Sequence, residues 1–130
     1  MVNRPAHRTL PAMTHDEALA WAERWIDDWN RRDVEAVLAH FADDIEFCSP
    51  LVVSVTGEPS GIVRGRDALR EYWTAALAER PDLRFDLDDV NVGVDAIAIH
   101  YRNRGRRATE VAVFDADGKV ARGWGLYGAD

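Results

Sequence analysis

The sequence predicts an α+β fold, in which a curved, mainly antiparallel sheet packs against three helices. Three observations carry this expectation. Residues 15 to about 31 and 66 to about 80 repeat apolar side chains at helical spacing. From residue 83 to 127 apolar side chains alternate instead, and glycine-containing turns divide the run. Residues 28–51, DWNRRDVEAVLAHFADDIEFCSPL, pack a helix end, a tight link, a short helix, an Asp-Asp turn, a strand and a proline into one stretch. Helices followed by a run of strands is the α+β order.

Residues 1–13 hold Pro5 and Pro11 without periodicity and read as a poorly ordered tail, leaving residues 14–130 as one domain. Thr14 with Glu17 is a capping box for the first helix. Ala18, Ala22, Trp25 and Trp29 fall on one stripe, widened by Leu19 and Ile26. Asp33 caps a second helix, 34 to about 42, whose apolar residues are Val34, Val37, Leu38 and Phe41. Ala42-Asp43-Asp44 stops it. A strand at 45–48 turns Ile45 and Phe47 to one face, and Ser49-Pro50 closes it. The β-branched residues at 51–55 extend that strand or form another. Gly57, Pro59 and Gly61 make 56–61 a loop. The third helix opens at Gly65-Arg66-Asp67, places Leu69, Trp73, Ala76 and Leu77 on a stripe, and ends before Pro81. Strands at 83–92, 95–102, 107–114 and 119–127 are joined by turns at Gly93, 102–105 and 115–118. Helices on one face let such a sheet curl into a cone whose open end is a pocket.

Composition narrows the function classes. A net charge of −7 repels phosphate backbones and anionic membrane surfaces, so neither nucleic acid nor membrane is an expected partner. A single cysteine, Cys48, excludes an internal disulfide and a thiolate zinc cage. No apolar run reaches the roughly 18 residues of a membrane span, and the first residues lack the apolar segment of a signal peptide. A cytoplasmic protein is expected. His7, His15, His40 and His100 have no metal-ligand spacing, so neither metal nor cofactor is expected.

The carrying motifs are Trp29-Asn30-Arg31-Arg32-Asp33, Phe41-Ala42-Asp43-Asp44, Ser49-Pro50-Leu51, Gly65-Arg66-Asp67-Ala68-Leu69, Phe114 through Val120, and Leu126-Tyr127-Gly128. In that order and spacing, residues 14–128 resemble the nuclear-transport-factor-2-like superfamily, in its SnoaL-like branch of polyketide cyclases, and also ketosteroid isomerases. The resemblance implies a cystatin-like α+β roll, a cone-shaped half-barrel with a pocket between sheet and helices. It also implies homodimers packed through the sheet. Ketosteroid isomerases carry a catalytic Asp where this chain has Ser49. Their oxyanion-hole Tyr falls at Trp25, and a supporting Tyr at Trp73. Their neutral carboxylic acid falls at Glu110. Steroid isomerisation by that mechanism is therefore not expected.

Glu110 shares a strand face with Ala112 and Phe114, so a raised pKa and acid–base work are expected of it, set against pairing with a nearby arginine. His40 and His100 are its candidate polar partners. Trp25, Ser49, Trp73, Phe114 and Tyr127 are the candidate ligand-binding residues, around a last strand whose Ala121, Gly123 and Gly125 leave room. The favoured function is acid–base chemistry (isomerase, cyclase, dehydratase or hydrolase) on a small hydrophobic molecule. The alternatives are a non-catalytic binding module and a protein-interaction domain.

Overall fold

The computed structural model describes residues 13–129, so residues 1–12 of the expected tail, with His7, lie outside the described residues. Met13 packs partly buried against the core. Helix α1 (His15–Asn30) opens with the capping box: the Thr14 hydroxyl accepts from the Glu17 N–H, and the Glu17 carboxylate accepts from the Thr14 N–H at 2.8 Å. Its stripe of Ala18, Ala22, Trp25 and Trp29 is buried, with Trp21 and Ile26 beside it. Helix α2 (Val34–Leu38) is shorter than expected, and strand β1 (Phe41–Cys48) begins at once. Ala42-Asp43-Asp44 is therefore strand rather than a helix stop. The pairing of β1 slips between Phe41 and Glu46, and this irregularity lets the consecutive Asp43 and Asp44 both face solvent.

The residues after Pro50 depart furthest from expectation. They form a helix, α3 (Pro50–Thr56), not a strand. The Ser49 hydroxyl accepts from the Leu51 N–H, Pro50 takes the first turn, and Gly57 ends the helix at φ +79°. Strand preference in Val-rich stretches is weak and context-dependent, whereas a Ser cap, an N-terminal Pro and a left-handed Gly define both helix ends. Ser49 is thus a helix cap rather than only the close of a strand. A short edge strand, β2 (Ile62–Arg64), which the sequence did not announce, pairs antiparallel with β1. Helix α4 (Arg66–Ala78) is the expected third helix, now the fourth among the described residues.

Strands β3 (Phe85–Val92), β4 (Ala96–Asn103), β5 (Arg106–Phe114) and β6 (Val120–Tyr127) form the antiparallel meander. Strand β6 then runs parallel to β1, giving the order β2-β1-β6-β5-β4-β3 in a curved, unclosed sheet. Helix α1 packs on β3, and α4 on β1 and β2. Register decides which residues face the helices. Ile99, Glu110 and Gly125 form one inward row, and Tyr101, Ala108 and Tyr127 form the next. No helix among the described residues is long and apolar enough to cross a membrane.

Candidate functional site

A cavity of about 380 Å³ lies between the inner sheet face and helices α1 and α4. Trp25, Trp29, Tyr72, Trp73, Phe85 and Tyr101 line it with aromatic rings. Trp29 meets Trp73 edge-on at 5.0 Å, and Trp25 meets Tyr101 at 5.2 Å, the T-shaped contact that ring quadrupoles favour. Gly123 and Gly125 on the facing strand let Phe47, Tyr127 and Ser49 pack close against the sheet. A Cβ on Gly125 would stand 2.9 Å from the Tyr127 hydroxyl, and one on Gly123 3.0 Å from the Phe47 ring.

Glu110 projects from β5 into this wall and is 5% exposed. No hydrogen bond or ion pair reaches its carboxyl from the described residues. Burial alone pushes it well above the usual carboxylate range, since an unpaired charge in a low-dielectric site costs more than keeping a proton. Three phenols stand near it. Burial is the main cause raising Tyr72, Tyr101 and Tyr127, and the Glu110 charge adds to each. The Ser49 hydroxyl donates to that of Tyr127 at 3.5 Å, joining the start of α3 to β6, and Ser49 also favours the ionised form of Tyr72. The indole N–H groups of Trp25 and Trp29 are buried without an acceptor among the described residues. Arg80, Asn103, Arg106 and Arg107 complete the lining with polar groups.

A SnoaL-like domain model matches residues 22–127. The chain belongs to the SnoaL-like domain family. A SnoaL-like protein of unknown function from Burkholderia thailandensis E264 is 41% identical, with a TM-score of 0.85 over 92% of this chain and 100% of that one. Two more distant structures share the fold. A Methylobium petroleophilum PM1 protein with a cystatin-like fold is 19% identical (TM-score 0.68, 92% of this chain, 81% of that one). A Kribbella flavida DSM 17836 protein, provisionally assigned as a ketosteroid isomerase, is 20% identical (TM-score 0.60, 85% and 77%). Among curated proteins none matches the chain.

Of the SnoaL-like chain's expected site residues, Glu110, Trp25, Trp73 and Tyr127 meet at the cavity, with Ser49 hydrogen-bonded just behind it. The other three do not. His100 lies on the outer sheet face, where its ring nitrogens meet Thr109 Oγ1 at 3.1 Å and Asn91 Oδ1. Its neighbour Ile99 is the residue opposite Glu110, so strand alternation turns His100 away. His40 sits 3.7 Å from Asp28 and edge-on to Trp21, and does not line the cavity. Phe114 packs against Trp21 at 5.4 Å and fills core instead of bounding the cavity.

Sequence reasoning passed over Tyr72, Tyr101 and Arg80. Two of these had a usable signal. The turn at Arg104 and Gly105, both at positive φ, sets a register in which Tyr101 is the inward neighbour of the row holding Glu110. Tyr72 follows Leu69 by three residues and so widens the helical stripe toward the sheet.

Proposed function

We propose that this protein is a small-molecule acid–base enzyme in which Glu110 handles a proton on a hydrophobic carbonyl or hydroxyl compound. The carrying observation is the buried Glu110 carboxyl, without a partner among the described residues, facing an aromatic cavity of about 380 Å³. That volume lies in the range of small-molecule sites. A neutral carboxyl can act alone, because its two oxygens exchange roles. In a dehydration, the O–H protonates the leaving hydroxyl, which departs as water. The other oxygen takes the proton from the adjacent carbon, the C–H pair forms the new double bond, and Glu110 ends as it began. Tautomerisation of a ketone follows the same two-oxygen path.

Hydrophobic ketones and β-hydroxyketones are the first compounds to test by thermal shift, followed by NMR detection of solvent deuterium at the carbon next to the carbonyl. Glu110→Gln keeps the shape and a donor, so it should retain the thermal shift and lose about 10²- to 10⁴-fold in exchange. Unchanged exchange in Glu110→Gln removes Glu110 from the chemistry. A thermal shift with no exchange in the wild type favours the non-catalytic binding module.

We also infer a homodimer through the outer sheet face, where Val111, Val113 and Trp124 are half-buried and Leu126 is 49% exposed in the single chain. Light scattering at micromolar concentration should report twice the mass of one chain, and a monomer refutes it.

A further inference from the structure

The cavity differs in charge from the rest of the chain. The protein carries −7 overall, yet among the described residues the cavity lining holds Arg80, Arg106 and Arg107 and a single carboxyl, Glu110. Several arginines elsewhere are matched to carboxylates: Arg64 to Glu46, Arg66 to Asp43, Arg70 to Glu35, Arg102 to Asp88 and Arg104 to Asp82. Arg80 and Arg107 have no ion-pair partner among the described residues. Arg80 is half-buried and lines the cavity, and its charge favours the ionised form of the Tyr72 and Tyr127 phenols, against the larger effect of their burial. Arg107 is exposed at the start of β5, where its side chain packs beside Gly128, another lining residue. The cavity therefore has a neutral, aromatic interior and a cationic rim.

We propose that the ligand of this cavity is a hydrophobic carboxylic acid, its carboxylate held by Arg80 and Arg107 and its apolar body directed inward toward Glu110. This rests on the small-molecule reading of the cavity, and not on the chemistry assigned to Glu110. The orientation follows from desolvation. A carboxylate at the inner end would be buried beside Glu110 with no cation to meet it. At the rim it keeps water and gains guanidinium donors, whose charge-assisted bonds to carboxylates are strong and directional. The net charge of −7 opposes a polyanion at long range, which favours a single carboxylate over a phosphorylated ligand. The ketone or hydroxyl offered to Glu110 then lies at the end of the molecule remote from its carboxylate.

The test compares 2-naphthylacetate with its methyl ester by isothermal titration calorimetry near neutral pH, on the full chain. The acid should bind roughly tenfold tighter than the ester, and added salt should weaken the acid alone. Arg80→Gln and Arg107→Gln should each remove several-fold of that preference while leaving ester affinity intact. The unchanged ester also reports that the variants are folded. Equal binding of acid and ester overturns the carboxylate proposal and leaves the small-molecule reading standing. If neither compound binds, both are overturned.

Discussion

Two carboxylates in this chain have almost the same burial and opposite surroundings. Asp28 is 8% exposed and Glu110 5%. Asp28, near the end of α1, accepts a hydrogen bond from the Arg31 guanidinium, and His40 Nε2 lies 3.7 Å from its other oxygen. Trp21 covers that group, and Phe114 packs on Trp21. Glu110 has neither cation nor donor among the described residues, and the cavity lies in front of it. Depth alone therefore does not mark a functional acid. A buried carboxylate with a guanidinium answers its own desolvation and fits a structural role. One kept against that cost, beside open space, is where acid–base function is to be sought.

Glu110→Gln breaks this contrast with the largest expected effect. Besides its effect on exchange, it should change how stability depends on pH. The folded carboxyl lies above its ordinary value of 4.5, so on raising the pH the unfolded chain releases this proton first. The stability contributed by the neutral acid is full below that ordinary value and is lost as pH rises toward the folded one, at about 1.4 kcal/mol per pH unit. Glutamine has no proton to release. As pH rises above that ordinary value the wild type should steadily lose stability relative to the variant, read from urea unfolding at each pH. Parallel curves would mean that Glu110 ionises normally in the folded protein, and the contrast with Asp28 would disappear.

Asp28→Ala tests the other side. Arg31 keeps 60% of its side chain in solvent, so removing its partner strands no buried cation. The expected cost is about 1–2 kcal/mol in chemical denaturation, with ligand affinity at the cavity unchanged. A loss of ligand binding would instead tie the two carboxylates into one site.

What the sequence made legible follows the range of each signal. The capping box at Thr14 and Glu17, the α1 stripe and the alternation in β4 and β5 are local patterns, and the structure has them. Alternation also sufficed to turn Glu110 inward with Ala112 and Phe114. It could not show how far along the cone each inward residue sits. Phe114 and Glu110 share a face, but they stand two rows apart on the sheet, Glu110 at the cavity and Phe114 against Trp21. The histidines failed for a related reason. Their distance from Glu110 depends on register and helix packing, which no single strand or helix records. Arg80 had no local signal at all, because its place at the cavity follows from how α4 packs on the sheet. The α3 error was avoidable in part, since Ser49-Pro50 and Gly57 carried the two helix ends in plain view.

A smaller effect is expected from Gly125→Ala, which probes the close packing of Tyr127 and Ser49 beside the cavity. The new methyl would stand 2.9 Å from the Tyr127 hydroxyl and 3.3 Å from Ser49 Oγ. The phenol end of Tyr127 can swing, so the stability cost should stay below about 1 kcal/mol. Displacing it from Ser49 should weaken ligand binding several-fold, measured against the same compounds. An unchanged affinity would place the ligand away from the row of Glu110 and Gly125.

The smallest expected effect belongs to His40. Burial lowers its pKa below the ordinary 6.5, and the Asp28 charge works against that lowering. A depressed imidazole contributes stability that is present above its ordinary value and is lost as pH falls through the folded one. His40 keeps 31% of its side chain in solvent, so screening should hold this loss under about 1 kcal/mol. Asp28→Asn removes the influence that raises the pKa, and thermal melts between about pH 7.5 and 5.5 should then show a steeper loss than in wild type. His40→Gln should flatten that acid limb, most clearly in a Glu110→Gln background, because the Glu110 window overlaps it and runs in the opposite direction. If Asp28→Asn flattened the limb instead, His40 would already be the charged partner of Asp28 in the folded chain. The two buried carboxylates would then differ in carrying one and no titrating cation, and the neutrality of Glu110 would follow from that missing cation more than from depth.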